Sequence, residues 1–289
     1  MRIALVTAIA AHGLDEDMGP LLAALQAAAV RAEVLAWDDP TVSWARFDAA
    51  LLRSTWDYAR RHAEFLAWCE RVGALTRLLN PLELVRWNSD KHYLAELERA
   101  GVAIVPTVFL EPGADPESLP PLPEFVVKPA VGAGSRDAAR YRAGQRPAAV
   151  AHARRLLDTG RSVMVQPYLA AVDAVGETAM IFHDGRYSHA VRKDALLHPE
   201  GAASDRPADA LFAAESIAAR EPDGAELELA RRVLAACPDP RPAYARVDVL
   251  PAAEGPRLLE LELVEPSLFF AHAPGAADRF VQSLLARLH

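Results

Sequence analysis

The sequence predicts an α/β protein, more fully an α/β (α+β) chain in which a parallel-sheet unit precedes two α+β units. Three observations carry this. Over roughly the first 85 residues short aliphatic runs alternate with segments of helical period, the pattern of a parallel sheet covered on both faces. A Pro-dense crossing, EPGADPESLPPLP, then leads into one strand pattern, EFVVKPA. Near the end, YARVDVL and RLLELELVEP read as two paired strands with charged residues at alternating positions.

In chain order, RIALVTAI (residues 2–9) is a first strand and MGPLLAALQAAAVRA a helix. RAEVLAWDD and FDAALLRSTW follow as strands, and HAEFLAWCERV as a helix, which completes a unit over residues 1–85. Asn80-Pro81 marks a turn, and a helix is predicted from Asp90 to Ala100 with Ser89 as its N-cap. EFVVKPA, a short strand in AARYRA, the helix RPAAVAHARRLLDTG and the strand SVMVQPYL make a second unit, residues 86–168. The third, residues 169–289, opens with the hairpin GETAMIFHDGRYSHAV turning at Asp184-Gly185. A stretch rich in Ala, Pro and acid from Asp194 to Gly224 reads as a loop plus a short helix, and ELELARRVLAAC as a helix.

A net charge of −8 and a pI near 5.6 argue against nucleic acid as a partner, because phosphate neutralisation needs a basic stripe. The N-terminal apolar run ends after about ten residues, too short for a membrane span. No membrane partner and a cytoplasmic location are the expectations. Cys69 and Cys237 stand alone, without the spacing of a disulfide framework or zinc site, and read as buried small hydrophobes.

Of the 31 Lys plus Arg residues only Lys91, Lys128 and Lys193 are lysine. Lys128 ends a strand and precedes Gly132-Ala133-Gly134-Ser135. Such a loop offers unhindered N–H groups beside a point charge, which suits a phosphate; a plain surface turn explains it as well. It is neither a Walker loop nor a dinucleotide fingerprint. Glu260 and Glu262, two apart on a strand, share one face, while Leu259, Leu261 and Leu263 share the other. With Asp248 and Arg246 on the neighbouring strand, they suggest either hard oxygen ligands for magnesium or a solvent-facing hairpin in which Arg246 pairs a glutamate.

Taken jointly, WNSDKHYL, FVVKPAVGAGS, Gln166-Pro167-Tyr168-Leu169, GETAM, VRK, ARVDV and the closing carboxylates resemble the ATP-grasp superfamily, in its glutathione-synthetase-like and D-Ala–D-Ala-ligase-like branch. The resemblance runs along nearly the whole chain. It implies an ATP-dependent carboxylate–amine ligase working through an acyl phosphate, with ATP and two magnesium ions, a small amino-acid-like substrate and, by analogy, a homodimer. By the same resemblance Lys91 and Lys128 contact the α- and β-phosphates, and Gly132, Gly134 and Ser135 close over them. Backbone groups of Tyr168 and Leu169, at the end of the strand bearing Gln166 and Pro167, read the adenine edge, and Val165 packs on its face. Asp173 holds the ribose, with Glu177 as the alternative. Lys193 and Arg192 face the γ-phosphate, and Arg246 stabilises the oxyanion. Asp248, Glu260 and Glu262 hold the metal, where Glu262 stands in place of the asparagine usual in the family. Glu265 either joins that set or, with Ser267, faces the substrate. A lid is expected around the glycine loop.

RSTWDY follows the strand DAALL, so Arg53 and Asp57 either grip a zwitterionic substrate or pair with each other at the strand end. His12 and Asp15 to Asp17, after the first strand, either face the substrate or form a solvated acidic loop, the second being the preferred reading. RSTWDYxxRxxEFLxW together with NPxxxxxWNSDK resembles the subgroup that contains the cyclo-ligase of D-cycloserine biosynthesis, which closes O-ureidoserine-type substrates. A phosphotransferase using the same ATP site, or a non-catalytic nucleotide-binding module, are the competing readings.

Overall fold

The computed structural model describes residues 1–195, 197 and 216–288. The alternation at the start of the chain becomes β1 (Arg2–Thr7), α1 (Met18–Ala27), β2 (Arg31–Ala36), β3 (Ala49–Ser54), α2 (His62–Gly73) and β4 (Arg77–Leu79). Its strands form one parallel sheet in the order β2-β1-β3-β4. Both faces are buried, as parallel strands demand. On one side Trp37, Phe65 and Trp68 pack with Val6 and Leu52; on the other Leu21 and Leu25 of α1 pack with Ile3 and Leu51.

Two short helices follow, α3 (Leu82–Asn88) and α4 (Tyr93–Arg99). Ser89 does not cap α4 as expected; it ends α3, while Asp90 Oδ1 accepts the His92 N–H at 3.1 Å. The next sheet comprises β5 (Val108–Leu110), β6 (Glu124–Pro129), β7 (Ala139–Arg142) and, after α5 (Arg146–Asp158), β8 (Val163–Pro167), ordered β5-β8-β6-β7 and antiparallel. Its own core, including Phe125, Val127, Val150 and Leu156, lies against α5.

After α6 (Val172–Val175) come β9 (Glu177–His183), β10 (Arg186–Lys193), β11 (Ile217–Arg220), α7 (Gly224–Ala235), β12 (Tyr244–Leu250), β13 (Arg257–Glu262) and α8 (Ala276–Leu288). The hairpin at Asp184-Gly185 is present, and the third sheet runs β11-β10-β9-β12-β13, all antiparallel. The loop and helix expected between 194 and 224 fall largely on residues 196 and 198–215, outside the described residues; β11 occupies part of the remainder.

The units are less sequential than the expected boundaries. Leu84, at the end of the segment assigned to the first unit, and Tyr93, Leu94 and Leu97, from that assigned to the middle unit, pack on the third sheet with Met180, Val247 and Leu261. From the far end of the chain, Phe280, Val281 and Leu284 of α8 return to Ile3, Leu51 and Tyr244. Cys69 and Cys237 are buried thiols, as read from the sequence. Among the described residues no helix is long and apolar enough to cross a membrane.

β13 lies at the sheet's edge, yet side chains and a neighbouring loop meet its outward backbone groups. Tyr93 Oη accepts the Leu261 N–H and donates to Leu261 O, both at 2.9 Å. Asn88 accepts from Leu263 N–H at 2.6 Å and donates to Leu261 O at 2.8 Å, while Asn80 donates to Leu263 O at 2.8 Å. Leu258 exchanges backbone hydrogen bonds with Ala103 and Val105, each 2.9 Å.

Two histidines are held neutral by this packing. Burial, aided by Arg155, lowers His152 from its ordinary 6.5 to about 4, and burial, aided by His189, lowers His183 to about 3. Unfolded, both rings take up protons below 6.5, so stability is flat above that pH and falls as pH drops toward 4. Urea unfolding at pH 5.0 should give roughly 2 kcal/mol less stability per buried histidine than at pH 7.5. The double variant His152→Gln, His183→Gln should lose that difference; an unchanged pH dependence would refute the assignment.

Candidate active site

One cavity of about 530 Å³ lies between the second and third sheets and reaches the loops of the first. On β6 the pleat sends Phe125 and Val127 into the core and leaves Val126 and Lys128 facing the cavity. The loop after β6 brings Gly132, Gly134 and Ser135 to the same wall, with Gly134 and Ser135 in the left-handed region at φ 62° and 55°. Lys91, on the link between α3 and α4, is buried; its Nζ donates to Gly132 O at 2.7 Å and pairs with Glu260 at 2.9 Å. Lys193 at the end of β10 pairs with Glu177 at 2.7 Å and lies 3.5 Å from Asp248.

The opposite wall is acidic. Arg246 faces Glu262 across the β12–β13 ladder, and Asp248 faces Glu260. The Arg246 guanidinium donates to both oxygens of Asp248, at 2.8 Å each, and also to Glu262. Burial disfavours the Asp248 carboxylate, but Arg246 and Lys193 outweigh it and hold Asp248 at about 2. Burial raises Glu177 and Glu262 to about 7, against the pull of Lys193 on the first and Arg246 on the second. For Lys128 burial and the nearby Lys91 push the ammonium down, opposed by Glu260. Glu265, buried beside Glu262, is pushed well above the usual carboxylate range.

A register shift after Asp248, which skips Leu259, makes a β-bulge. Leu259 therefore does not share the core face of Leu261 and Leu263, as strict alternation predicts. It turns to the cavity, packing with Tyr168 and Leu169.

Gln166, Pro167, Tyr168, Leu169, Glu177, Glu265 and Ser267 also line the cavity. Other expected residues do not. Val165 points into the core of the second sheet, because its neighbour Gln166 takes the cavity face. By the same alternation Arg192 turns away from Lys193, donating to Val175 O at 2.6 Å and pairing with Asp194. Asp173 accepts the Tyr168 hydroxyl at 2.5 Å and pairs with Arg140, outside the cavity lining. The Tyr168 N–H is spent on Glu124 O at 2.9 Å. Arg53 is fully buried between Asp15 and Asp17, and Asp57 accepts from Trp37 Nε1 at 2.9 Å and faces Arg61 at 3.5 Å. Neither Arg53 nor Asp57 reaches the cavity, nor do they pair with each other. Of the loop read as substrate-facing or solvated, Asp15 and Asp17 are buried and, with the exposed Leu14 and Glu16, line the cavity, whereas His12 is exposed and outside the lining.

Sequence reasoning missed Val126, Leu259, Trp56, Phe269 and His272 of the lining. Val126 was recoverable, standing two residues before Lys128 on one strand. Leu259 carried no signal, since a bulge is set by the partner strand.

For magnesium the donors are suitable, hard carboxylate oxygens of Asp248, Glu260 and Glu262 on paired strands facing one cavity. Their present arrangement is that of ion-paired side chains: among the described residues no three Asp, Glu, His or Cys converge as a ligand set.

Lysines opposed to carboxylates between two antiparallel sheets, beside a parallel-sheet unit, form the architecture of the ATP-grasp fold. The family description "D-cycloserine synthetase DcsG, N-terminal domain" matches residues 3–80. The cycloserine biosynthesis protein DcsG of Streptomyces lavendulae is 42% identical over 300 residues, covering 99% of this chain and 98% of its own. The crystal structure of D-cycloserine synthetase DcsG matches with a TM-score of 0.91 at 41% identity over 100% of both chains. D-alanine–D-alanine ligase from Bacillus anthracis shares the fold at a TM-score of 0.68 and 15% identity, covering 100% of this chain and 97% of that one. The structure of the ATP-grasp ligase PsnB, complexed with a phosphomimetic variant of its minimal precursor, Mg and ADP, does so at 0.65 and 19%, covering 99% and 98%. The chain belongs to the D-cycloserine synthetase family, and its fold is that of the ATP-grasp ligases.

Gly176, just before β9, has φ +80°, and a Cβ there would meet Lys193 O at 2.7 Å and Arg192 Nε at 2.6 Å. Gly176→Ala should cost about 1–3 kcal/mol of stability and, by displacing Lys193, reduce turnover. Thermal unfolding and ADP release measured side by side check both.

Proposed function

We propose that this ligase closes an O-ureidoserine-type amino acid into the cycloserine ring. One observation carries the reading: the Lys91, Lys128 and Lys193 ammoniums and the Asp248, Glu260 and Glu262 carboxylates line the same cavity, whose far end is built from Asp15, Glu16, Trp56, Glu265, Ser267 and Phe269. The first group suits a triphosphate and the second a small amino acid.

Lys91 and Lys128 take the α- and β-phosphates, and the loop from Gly132 to Ser135 closes over them. Val126 and Leu259 bound the adenine, and the Tyr168 carbonyl with the Leu169 N–H reads its edge. Glu177 takes the ribose in place of Asp173. Lys193 neutralises charge on the γ-phosphoryl group as it passes to the substrate carboxylate, releasing ADP and leaving an acyl phosphate. The nitrogen bonded to the side-chain oxygen then attacks the acyl carbon, Arg246 stabilises the oxyanion, and phosphate leaves with the nitrogen's proton. Water then cleaves the carbamoyl group from the ring nitrogen as carbon dioxide and ammonia, which leaves the cycloserine ring. Asp248, Glu260 and Glu262 would hold two magnesium ions, which supply charge neutralisation to the phosphoryl oxygens. With Arg53 and Asp57 outside the cavity, the substrate ammonium falls to Asp15 and Glu16. Trp56 and Phe269 help to keep water from the acyl phosphate.

Incubation with ATP, magnesium and O-ureidoserine should release ADP and phosphate together with a cyclised product detectable by mass. Phosphate retained on the product would indicate a phosphotransferase, and neither product a binding module. Lys128→Ala and Asp248→Asn should each lower kcat by about 10²–10³-fold, the usual effect of removing one charge-stabilising group, with folding retained. Wild-type ADP production by either would sink the roles given to them.

A further inference from the structure

Asp17 borders the substrate end of the cavity, yet its oxygens are already committed. It stands at the N-terminus of α1 without capping that helix; its side chain crosses instead to the chain beyond β13. There it accepts three successive backbone N–H groups, from Leu268 at 2.5 Å, Phe269 at 3.1 Å and Phe270 at 2.8 Å. Arg53 approaches Asp17 at 3.4 Å and donates to Pro266 O at 3.2 Å. Arg53, Leu268 and Phe269 share Oδ2 and Phe270 takes Oδ1, so both oxygens of the carboxylate are engaged by the turn and its backing arginine.

The segment held in this way faces the chemistry. Glu265, Ser267 and Phe269 line the cavity, and Phe269 is left-handed at φ 52°, a conformation a bulky residue keeps only when its surroundings impose it. Ser267 O accepts from Arg246 at 3.4 Å, and the Arg246 guanidinium lies 5.5 Å from the centre of the Phe269 ring. Two further donors reinforce the same stretch: Trp56 Nε1 to Glu265 O at 3.1 Å and His189 Nε2 to Leu268 O at 2.7 Å.

We infer that Asp17, backed by Arg53, is a positioning residue that fixes the turn from Glu265 to Phe270 and thereby aims Glu265, Ser267, Phe269 and Arg246 at the substrate. Arg53 thus acts on the substrate only through this turn. ATP binds at the other end, among Lys91, Lys128 and Lys193, and does not depend on it. The loop after β1 and the turn after β13, some 250 residues apart, form one element of substrate recognition.

The test compares the full-length wild type with Asp17→Asn, which keeps the size of the side chain but turns an amide NH₂ toward donors. Amide hydrogen exchange at Leu268 to Phe270, the Kd for ATP, and KM and kcat for O-ureidoserine are measured. In the variant exchange at those amides should rise at least tenfold, KM should rise at least tenfold, and the ATP Kd should stay within twofold. If Asp17→Asn does not fold, Arg53→Lys, which withdraws the Pro266 contact but keeps the charge, should shift the same quantities in the same direction. Unchanged exchange or unchanged KM overturns the inference, as does a parallel rise in the ATP Kd, which marks a general structural defect. The kinetic arm rests on the substrate reading above; a wild type inactive on O-ureidoserine refutes that reading, while exchange and ATP affinity still decide the role of Asp17.

Discussion

Charge compensation among buried side chains of one cavity is the constraint around which this chain is organised. Glu177, Asp248, Glu260 and Glu262 stand at pairing distance from Lys91, Lys193 and Arg246, brought together from four strands and the link between α3 and α4. Removing one member of such a buried pair costs about 3–5 kcal/mol, because the remaining charge is stranded away from water. Each pair must therefore be exchanged for a new partner and never simply broken. A magnesium-bound triphosphate is suited to that exchange, offering cations to the carboxylates and anionic oxygens to the lysines in one step.

The strand pairing turns this demand into geometry. The β12–β13 register sets Arg246 opposite Glu262 and Asp248 opposite Glu260, and the bulge that follows adds an apolar surface, Leu259, beside the charges. On β6 and β10 the pleat selects Lys128 and Lys193 for the cavity and turns their neighbours Val127 and Arg192 elsewhere. Specificity at the far end depends on contacts at long sequence separation, above all the reach of Asp17 to Leu268–Phe270.

These two kinds of determinant explain what was legible beforehand. Strand period placed Glu260 and Glu262 on one face, since a side chain two positions along a strand returns to the same face, but only the resemblance along the whole chain favoured a shared site with Lys128 and Asp248 over a surface turn and a solvent-facing hairpin. The same rule, applied strictly, would have rejected Arg192 and Val165, which adjoin Lys193 and Gln166. Arg53 and Asp57 were misread because a strand-end position identifies a place near ligands but not the direction of a side chain, and buried partners, Asp17 and Trp37, claimed both. The burial of Asp17 is not legible locally, because its partners Leu268 to Phe270 lie some 250 residues away. Helix α8 was not foreseen, and its return to the first sheet blurs the boundaries drawn along the chain.

The edge of the third sheet carries one more implication. An outermost strand ordinarily invites another polypeptide to dock alongside it through its unused amides and carbonyls. Here Asn80, Asn88, Tyr93 and the Ala103–Val105 stretch have taken that role along Leu258, Leu261 and Leu263. The strand that bears Glu260 and Glu262 is consequently closed to recruitment by a foreign backbone, and the acids it presents keep their alignment even in a crowded solution.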